Sequence, residues 1–194
     1  MTNLAVFCGS NPGRPDRRYV ELAAELGGAA ARAGHAVVYG GGRVGLMGAV
    51  AEGALAAGGE VFGYLPAAMT DRELEHGGLT ELHVVRSMHE RKAAMCDRAE
   101  GFVVLPGGFG TLDEAMEILT WNQLGIIAKP VAFLDDGEYY GPLFDFFRGA
   151  VAAGLVKEAH FAMARRVSDV DAAIAIAAGP APVGPTKWTD PSVR

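Results

Sequence analysis

At 194 residues, half of them apolar and 27 of them Gly, the chain is long enough for one α/β domain with a real core and rich in tight turns. A net charge of −6 argues against a broad nucleic-acid surface, leaving room only for a local basic pocket. Two cysteines far apart, Cys8 and Cys96, make neither a disulfide framework nor a CxxC metal site.

The start, Met1-Thr2-Asn3-Leu4-Ala5-Val6-Phe7, enters a strand-like run directly, with no charged n-region and no cleavage site. No apolar run reaches 18 residues, so a soluble cytoplasmic protein without a membrane partner is expected. Leu4–Cys8 reads as a buried first strand ending at Gly9-Ser10, and Asn11–Pro15 as a loop. From Asp16 to Ala33 the apolar positions Tyr19, Leu22, Ala23, Leu26 and Ala30 recur at helical spacing, with Asp16 as N-cap and Gly34 as the stop. A second strand, His35–Tyr39, runs into Gly40-Gly41-Gly42, and Leu46–Ala57 is again helical. Glu60–Leu65 is the third strand, Ala67–Leu79 an irregular polar segment and Glu81–Val85 the fourth strand. Ser87 caps a helix through Arg98, with Glu90 at the capping-box position.

Gly101–Val104, the fifth strand, leads into Leu105-Pro106-Gly107-Gly108-Phe109-Gly110-Thr111-Leu112-Asp113-Glu114, and a helical pattern over Ala115–Trp121 follows. Strand, glycine turn and helix start together build an anion cradle: bare amides approach a phosphate while the helix N-terminus faces it. Glu114 then falls in or near the first helical turn. Lys129–Leu134 is the sixth strand, and helices at Pro142–Ala153 and Val170–Ala178 close the domain, with a small strand near Arg166-Val167. The catalytic domain is thus expected over 1–178, with a loose Pro-rich tail over 179–194.

Alternating strands and helices predict a single-domain, Rossmann-like, doubly wound parallel sheet with helices on both faces. Such a sheet binds ligands at the carboxyl ends of its strands. The turns Gly9-Ser10, Gly40-Gly41-Gly42 and Gly107-Gly108 all fall there, which points to a nucleotide or sugar phosphate.

Several cofactor chemistries fail on spacing. Gly40-x-Gly42-x-x-Gly45 matches the dinucleotide fingerprint, but it follows the second strand, and the next strand ends in Gly63-Tyr64-Leu65-Pro66 without the acid that binds ribose. No Gly-Lys-Ser/Thr follows any glycine turn, which removes Walker A. Of the lysines Lys92, Lys129, Lys157 and Lys187, only Lys92 lies near the site, and a phosphate role beside Arg91 suits it as well as a Schiff base. Cys8 and Ser10 have no identifiable His base, and Cys8 reads as a small core residue. The histidines form no ligand spacing, and only His89, beside Arg91, stays a functional candidate. No metal and no cofactor are expected. What remains is Arg91-Lys92 on one helix start and Glu114 on another. Cations and a glycine cradle can hold a phosphate, and a carboxylate near a sugar C1′ can stabilise an oxocarbenium-like transition state. Taken alone, Arg91-Lys92 also reads as a solvated charge run.

Pro106-Gly107-Gly108-Phe109-Gly110-Thr111-Leu112-Asp113-Glu114 resembles the PGGxGTxxE signature of the LONELY GUY (LOG) family, and Met88-His89-x-Arg91-Lys92 resembles that family's second motif. The similarity runs from Val6 to about Ala178. LOG proteins are cytokinin riboside 5′-monophosphate phosphoribohydrolases, once mislabelled lysine decarboxylases. The resemblance implies a homodimer with its pocket near the subunit interface, and the helix carrying Trp121 and Leu124 is a candidate contact there and equally a candidate for the core. It implies Arg91 and Glu114 as the catalytic pair. Substrate contacts are implied at Glu73, Arg91, Lys92, Gly108, Phe109, Gly110, Thr111, Leu112, Asp113, Glu114 and Thr120. Further phosphate or ribose contacts are expected at Gly9, Ser10, Gly41, Gly42 and Gly107. The implied reaction releases free base and ribose 5-phosphate from N6-substituted AMP. The alternatives are an AMP nucleosidase indifferent to the N6 substituent and a non-catalytic nucleotide-binding protein.

Overall fold

A computed structural model describes residues 1–13, 17–70 and 76–182. Seven strands build its sheet: β1 (Asn3–Phe7), β2 (Ala36–Tyr39), β3 (Val61–Pro66), β4 (Glu81–Val85), β5 (Gly101–Val104), β6 (Val131–Leu134) and β7 (Ala164–Val167). They lie in the order β4-β3-β2-β1-β5-β6-β7, and every neighbouring pair is parallel. The helices are α1 (Arg18–Arg32), α2 (Gly45–Ala56), α3 (Ala67–Thr70), α4 (Met88–Arg98), α5 (Phe109–Leu124), α6 (Gly141–Ala152), α7 (Glu158–Phe161) and α8 (Val170–Ala177). None of them is long and apolar enough to cross a membrane.

The inner strands are continuous apolar runs because both of their faces are covered. Ala36–Tyr39, Gly101–Val104 and Val131–Leu134 are buried at every position. Alternate side chains feed two cores. Leu4, Val6, Val37, Tyr39, Val103 and Leu105 pack with α1, α2 and α8, while Ala5, Phe7, Val38, Phe102 and Phe133 pack with α4, α5 and α6. The expected single-domain, doubly wound sheet is what forms. Between β1 and β5 the chain leaves toward opposite faces, so their following loops diverge and open a crevice.

α1 and α2 meet through glycine. A Cβ on Gly53 would lie 2.1 Å from the Ala24 carbonyl oxygen, and one on Gly27 2.0 Å from that of Val50. Gly53→Ala should therefore lower stability by about 1–3 kcal/mol, although helix propensity alone would raise it by about 1 kcal/mol. A urea midpoint that rises in this variant would remove the packing explanation.

Some local expectations need correction. α5 begins at Phe109, so Glu114 stands in its second turn. α1 begins at Arg18 after Arg17, which has a positive φ of 58° and makes no side-chain cap bond; Asp16 lies outside the described residues. The segment expected to be irregular opens with the short helix α3, and α7 is a further short helix that periodicity did not mark. Ser87 caps α4 by accepting the Glu90 N–H at 3.2 Å, but the Glu90 carboxylate accepts from Arg86 N rather than from the cap's own N–H. Trp121 is half-buried against the second core. The last helix ends at Ala177, and positions 183–194 of the expected tail lie outside the described residues.

Candidate active site

The crevice holds a cavity of about 580 Å³. Its polar floor comes from the loops after β1, β2 and β5: Cys8, Gly9 and Ser10, then Gly40 and Gly42, then Gly107 and Gly108. Leu112 N is the first amide of α5 to bond back into the helix, to Gly108 O at 3.1 Å. The N–H groups of Phe109, Gly110 and Thr111 consequently have no intrahelical acceptor and sit at the positive end of the helix dipole. That end borders the cavity and suits a phosphate. Leu46, Met47, Leu65, Met69 and Met88 supply apolar walls, and Tyr19 and Tyr139 close another side.

At the inner end stands one ion pair. Arg91, in the first turn of α4, places Nη1 2.6 Å from Oε1 of Glu114 and donates from Nε to the Tyr64 carbonyl at 2.9 Å. Arg91 is 8% exposed and Glu114 7%. The guanidinium reaches this position because residue 40 has no side chain: a Cβ there would lie 1.9 Å from Arg91 Nη2. The sequence marks Gly40 as part of a fingerprint and of a glycine turn at the ligand-binding edge, and the structure adds that its missing side chain leaves room for the Arg91 guanidinium. Gly45 of the same fingerprint packs against backbone instead, since its Cβ would lie 2.3 Å from the Ser10 carbonyl oxygen.

Burial raises the pKa of Glu114 above its ordinary value, and the neighbouring Arg91 charge only partly offsets this. In its ionised form the carboxylate stands in a medium that screens it weakly, so it interacts strongly with positive charge developing nearby. Cys8 also borders the cavity, but burial, reinforced by the Glu114 charge, pushes its thiol up, so it stays neutral and is a poor nucleophile.

Of the residues named from the sequence, Gly9, Ser10, Gly42, Arg91, Gly107, Gly108, Phe109, Gly110, Thr111, Asp113 and Glu114 line this one cavity. Others do not. Lys92 pairs with Asp113 at 3.0 Å and Glu117 at 3.1 Å, bracing α4 against α5. Its partial burial works against the charge, yet the two carboxylates hold its pKa above the ordinary value. Leu112 packs on the second core, and Gly41 sits against Tyr64, Leu65 and Leu82. Thr120 is exposed and donates to the Met116 carbonyl at 2.7 Å. His89 is exposed and away from the lining, and Glu73 lies outside the described residues. Among the described residues no cluster of three His, Cys, Asp or Glu could hold a metal ion.

A family model described as "Possible lysine decarboxylase" matches residues 47–176. A cytokinin riboside 5′-monophosphate phosphoribohydrolase of Rhodococcoides fascians is 45% identical over 179 residues, which cover 92% of this chain and 90% of that one. The chain belongs to the LONELY GUY family. A LOG relative from Arabidopsis thaliana, a cytokinin riboside 5′-monophosphate phosphoribohydrolase, is 42% identical over 164 residues, 84% of this chain and 73% of its own. In fold, this LOG-family chain is similar to the Moco carrier protein of Chlamydomonas reinhardtii, with a TM-score of 0.67 at 24% identity over 90% of this chain and 93% of that one. The decarboxylase description finds no counterpart among the described residues, none of whose lysines lines the cavity where a Schiff base would have to form.

Proposed function

We propose that this chain hydrolyses the N-glycosidic bond of cytokinin riboside 5′-monophosphates, N6-substituted forms of AMP, to free base and ribose 5-phosphate. The observation that carries this reading is the buried Arg91–Glu114 pair standing in the same cavity as the free amides of α5. The names of the LOG relatives support it. The 5′-phosphate rests on the amides of Gly108–Thr111, which sets the ribose between the helix start and Glu114. As the C1′–N9 bond breaks, the electron pair leaves with the base, and the Glu114 carboxylate stabilises the positive charge growing at C1′. Water bonds to C1′ through its oxygen, and its released proton balances the one gained by the base. A guanidinium stays charged at ordinary pH and is a poor proton donor, so Arg91 holds Glu114 and the substrate in place.

The reading requires no metal or cofactor, and no nucleic acid or membrane partner; net charge −6 is in keeping with that. It describes a cytoplasmic homodimer with the pocket near the subunit interface. Phe109, 95% exposed, and half-exposed Met88 border the cavity and give a second copy an apolar surface to cover. The apolar wall of Leu46, Met47, Leu65, Met69 and Met88 favours an N6-alkylated base over plain adenine.

Product chromatography after incubation with a panel of nucleoside monophosphates tests this. Free base should appear faster from N6-isopentenyl-AMP than from AMP. Equal rates would make the chain an AMP nucleosidase, and bound nucleotide with no base over long incubation would make it a binding protein.

A further inference from the structure

The loop that presents the phosphate-binding amides is held by its carbonyls. Three in succession are bonded to three different partners. Leu105 O accepts the Tyr140 hydroxyl at 2.6 Å, Pro106 O accepts Gly9 N–H at 3.1 Å, and Gly107 O accepts the Tyr139 hydroxyl at 2.7 Å. The two tyrosines are consecutive, so one short segment after β6 grips alternate carbonyls of the loop after β5. That segment is itself fixed. The fully buried Asp135 carboxylate accepts the N–H of Gly137 at 3.0 Å and of Tyr140 at 2.5 Å, while Arg166 on β7 donates to Asp135 and to the Gly137 carbonyl.

The tyrosines differ in surroundings. Tyr140 is 2% exposed and packs against Phe133, whereas Tyr139 is 41% exposed, borders the cavity and meets the Tyr19 ring edge-on at 5.5 Å. The Gly107 carbonyl directly precedes the amides assigned to the phosphate. Left bare, its partial negative charge would repel an anion, and its peptide plane could turn. A donated hydroxyl counters both effects.

We propose that Tyr139 is a positioning residue for the phosphate cradle, its hydroxyl fixing the Gly107 carbonyl and so the aim of the amides that follow. This rests on the hydrolase reading above and adds a residue that neither sequence motif contains.

The test compares Tyr139→Phe and Tyr140→Phe with the wild type, using calorimetric titration with ribose 5-phosphate, kinetics on N6-isopentenyl-AMP across pH, and thermal unfolding. Tyr139→Phe keeps the ring contacts and loses one hydrogen bond, so affinity for ribose 5-phosphate should fall roughly five-fold, a typical bond's worth, and KM should rise by a similar factor. The thermal midpoint and the acid limb of the rate profile, which Glu114 sets, should not move. Tyr140→Phe, which strips a donor from a buried carbonyl, should instead lower the midpoint. Identical affinity in wild type and Tyr139→Phe, with base release intact, removes the tyrosine's role alone. Weaker binding accompanied by a lower midpoint and a displaced acid limb also overturns it, since that is general disturbance. A wild-type protein that neither binds ribose 5-phosphate nor releases base takes down the hydrolase reading and this role with it.

Discussion

Glu114→Gln should slow base release by about 10²–10³-fold, the usual cost of removing one electrostatic stabiliser of a transition state, while nucleotide binding is largely kept. The amide has the same shape and retains an oxygen for Arg91 Nη1, which Glu114 Oε1 now receives at 2.6 Å. It has no negative charge to place against C1′. The phosphate cradle lies on the first turn of α5, away from this substitution, so affinity should change little. Calorimetry with a nucleotide and chromatographic detection of base separate the two quantities. Near wild-type release from the Gln protein would remove Glu114 from the chemistry.

Arg91→Ala should cost about 10²-fold in turnover, the scale of effect expected when a reacting group is misplaced by an ångström, and should also weaken binding. Its signature lies in the pH dependence. Burial raises the pKa of Glu114, and the Arg91 charge pulls it part of the way back. The rate requires the carboxylate, so it is present above the folded pKa of Glu114 and lost as pH falls through it. In the wild type that acid limb should lie above the ordinary carboxylate value of 4.5. Without Arg91 the limb should move to still higher pH. Stability runs the opposite way. A carboxyl with a raised folded pKa is tolerated below the unfolded value, and that stability is lost as pH rises through the folded one. The Ala protein should therefore resemble the wild type in thermal midpoint below pH 4.5 and fall behind it toward neutrality. Removing one member of a buried pair costs about 3–5 kcal/mol when the other stays charged, and Glu114 escapes part of this by taking up a proton. An acid limb that stays in place would show that Arg91 does not act on Glu114.

The sheet was legible because its inner strands are short, wholly apolar runs between glycine turns, a pattern that parallel strands covered on both faces impose. The pairing of Arg91 with Glu114 came from the family resemblance and not from spacing, since α4 and α5 follow strands that stand four places apart in the sheet and only the tertiary fold brings the two side chains together. The start of α5 was harder to read: Phe109 and Gly110 look like loop residues, and their helical state is set by the turn they close rather than by propensity. Lys92 reads as a phosphate ligand by its neighbour Arg91, but its partners, Asp113 and Glu117, lie one turn apart on a helix that only the tertiary fold brings alongside. Tyr139 carried no signal, since a tyrosine after a strand reads as a surface aromatic until the loop beneath it is known. The four-residue helices α3 and α7 are too short for any periodicity to show.

Gly40 ties the site's charge arrangement to a backbone position that carries no charge itself. Any side chain at this position occupies the space of the Arg91 guanidinium, and without that guanidinium Glu114 is left buried with no counter-charge. The three positions therefore work as one unit: a side chain at position 40 should impair the site through Arg91 much as Arg91→Ala does, although neither Arg91 nor Glu114 has changed. An intact PGGxGT loop and parallel sheet would then not be enough for full activity in this chain, because the room kept clear at position 40 is a separate requirement.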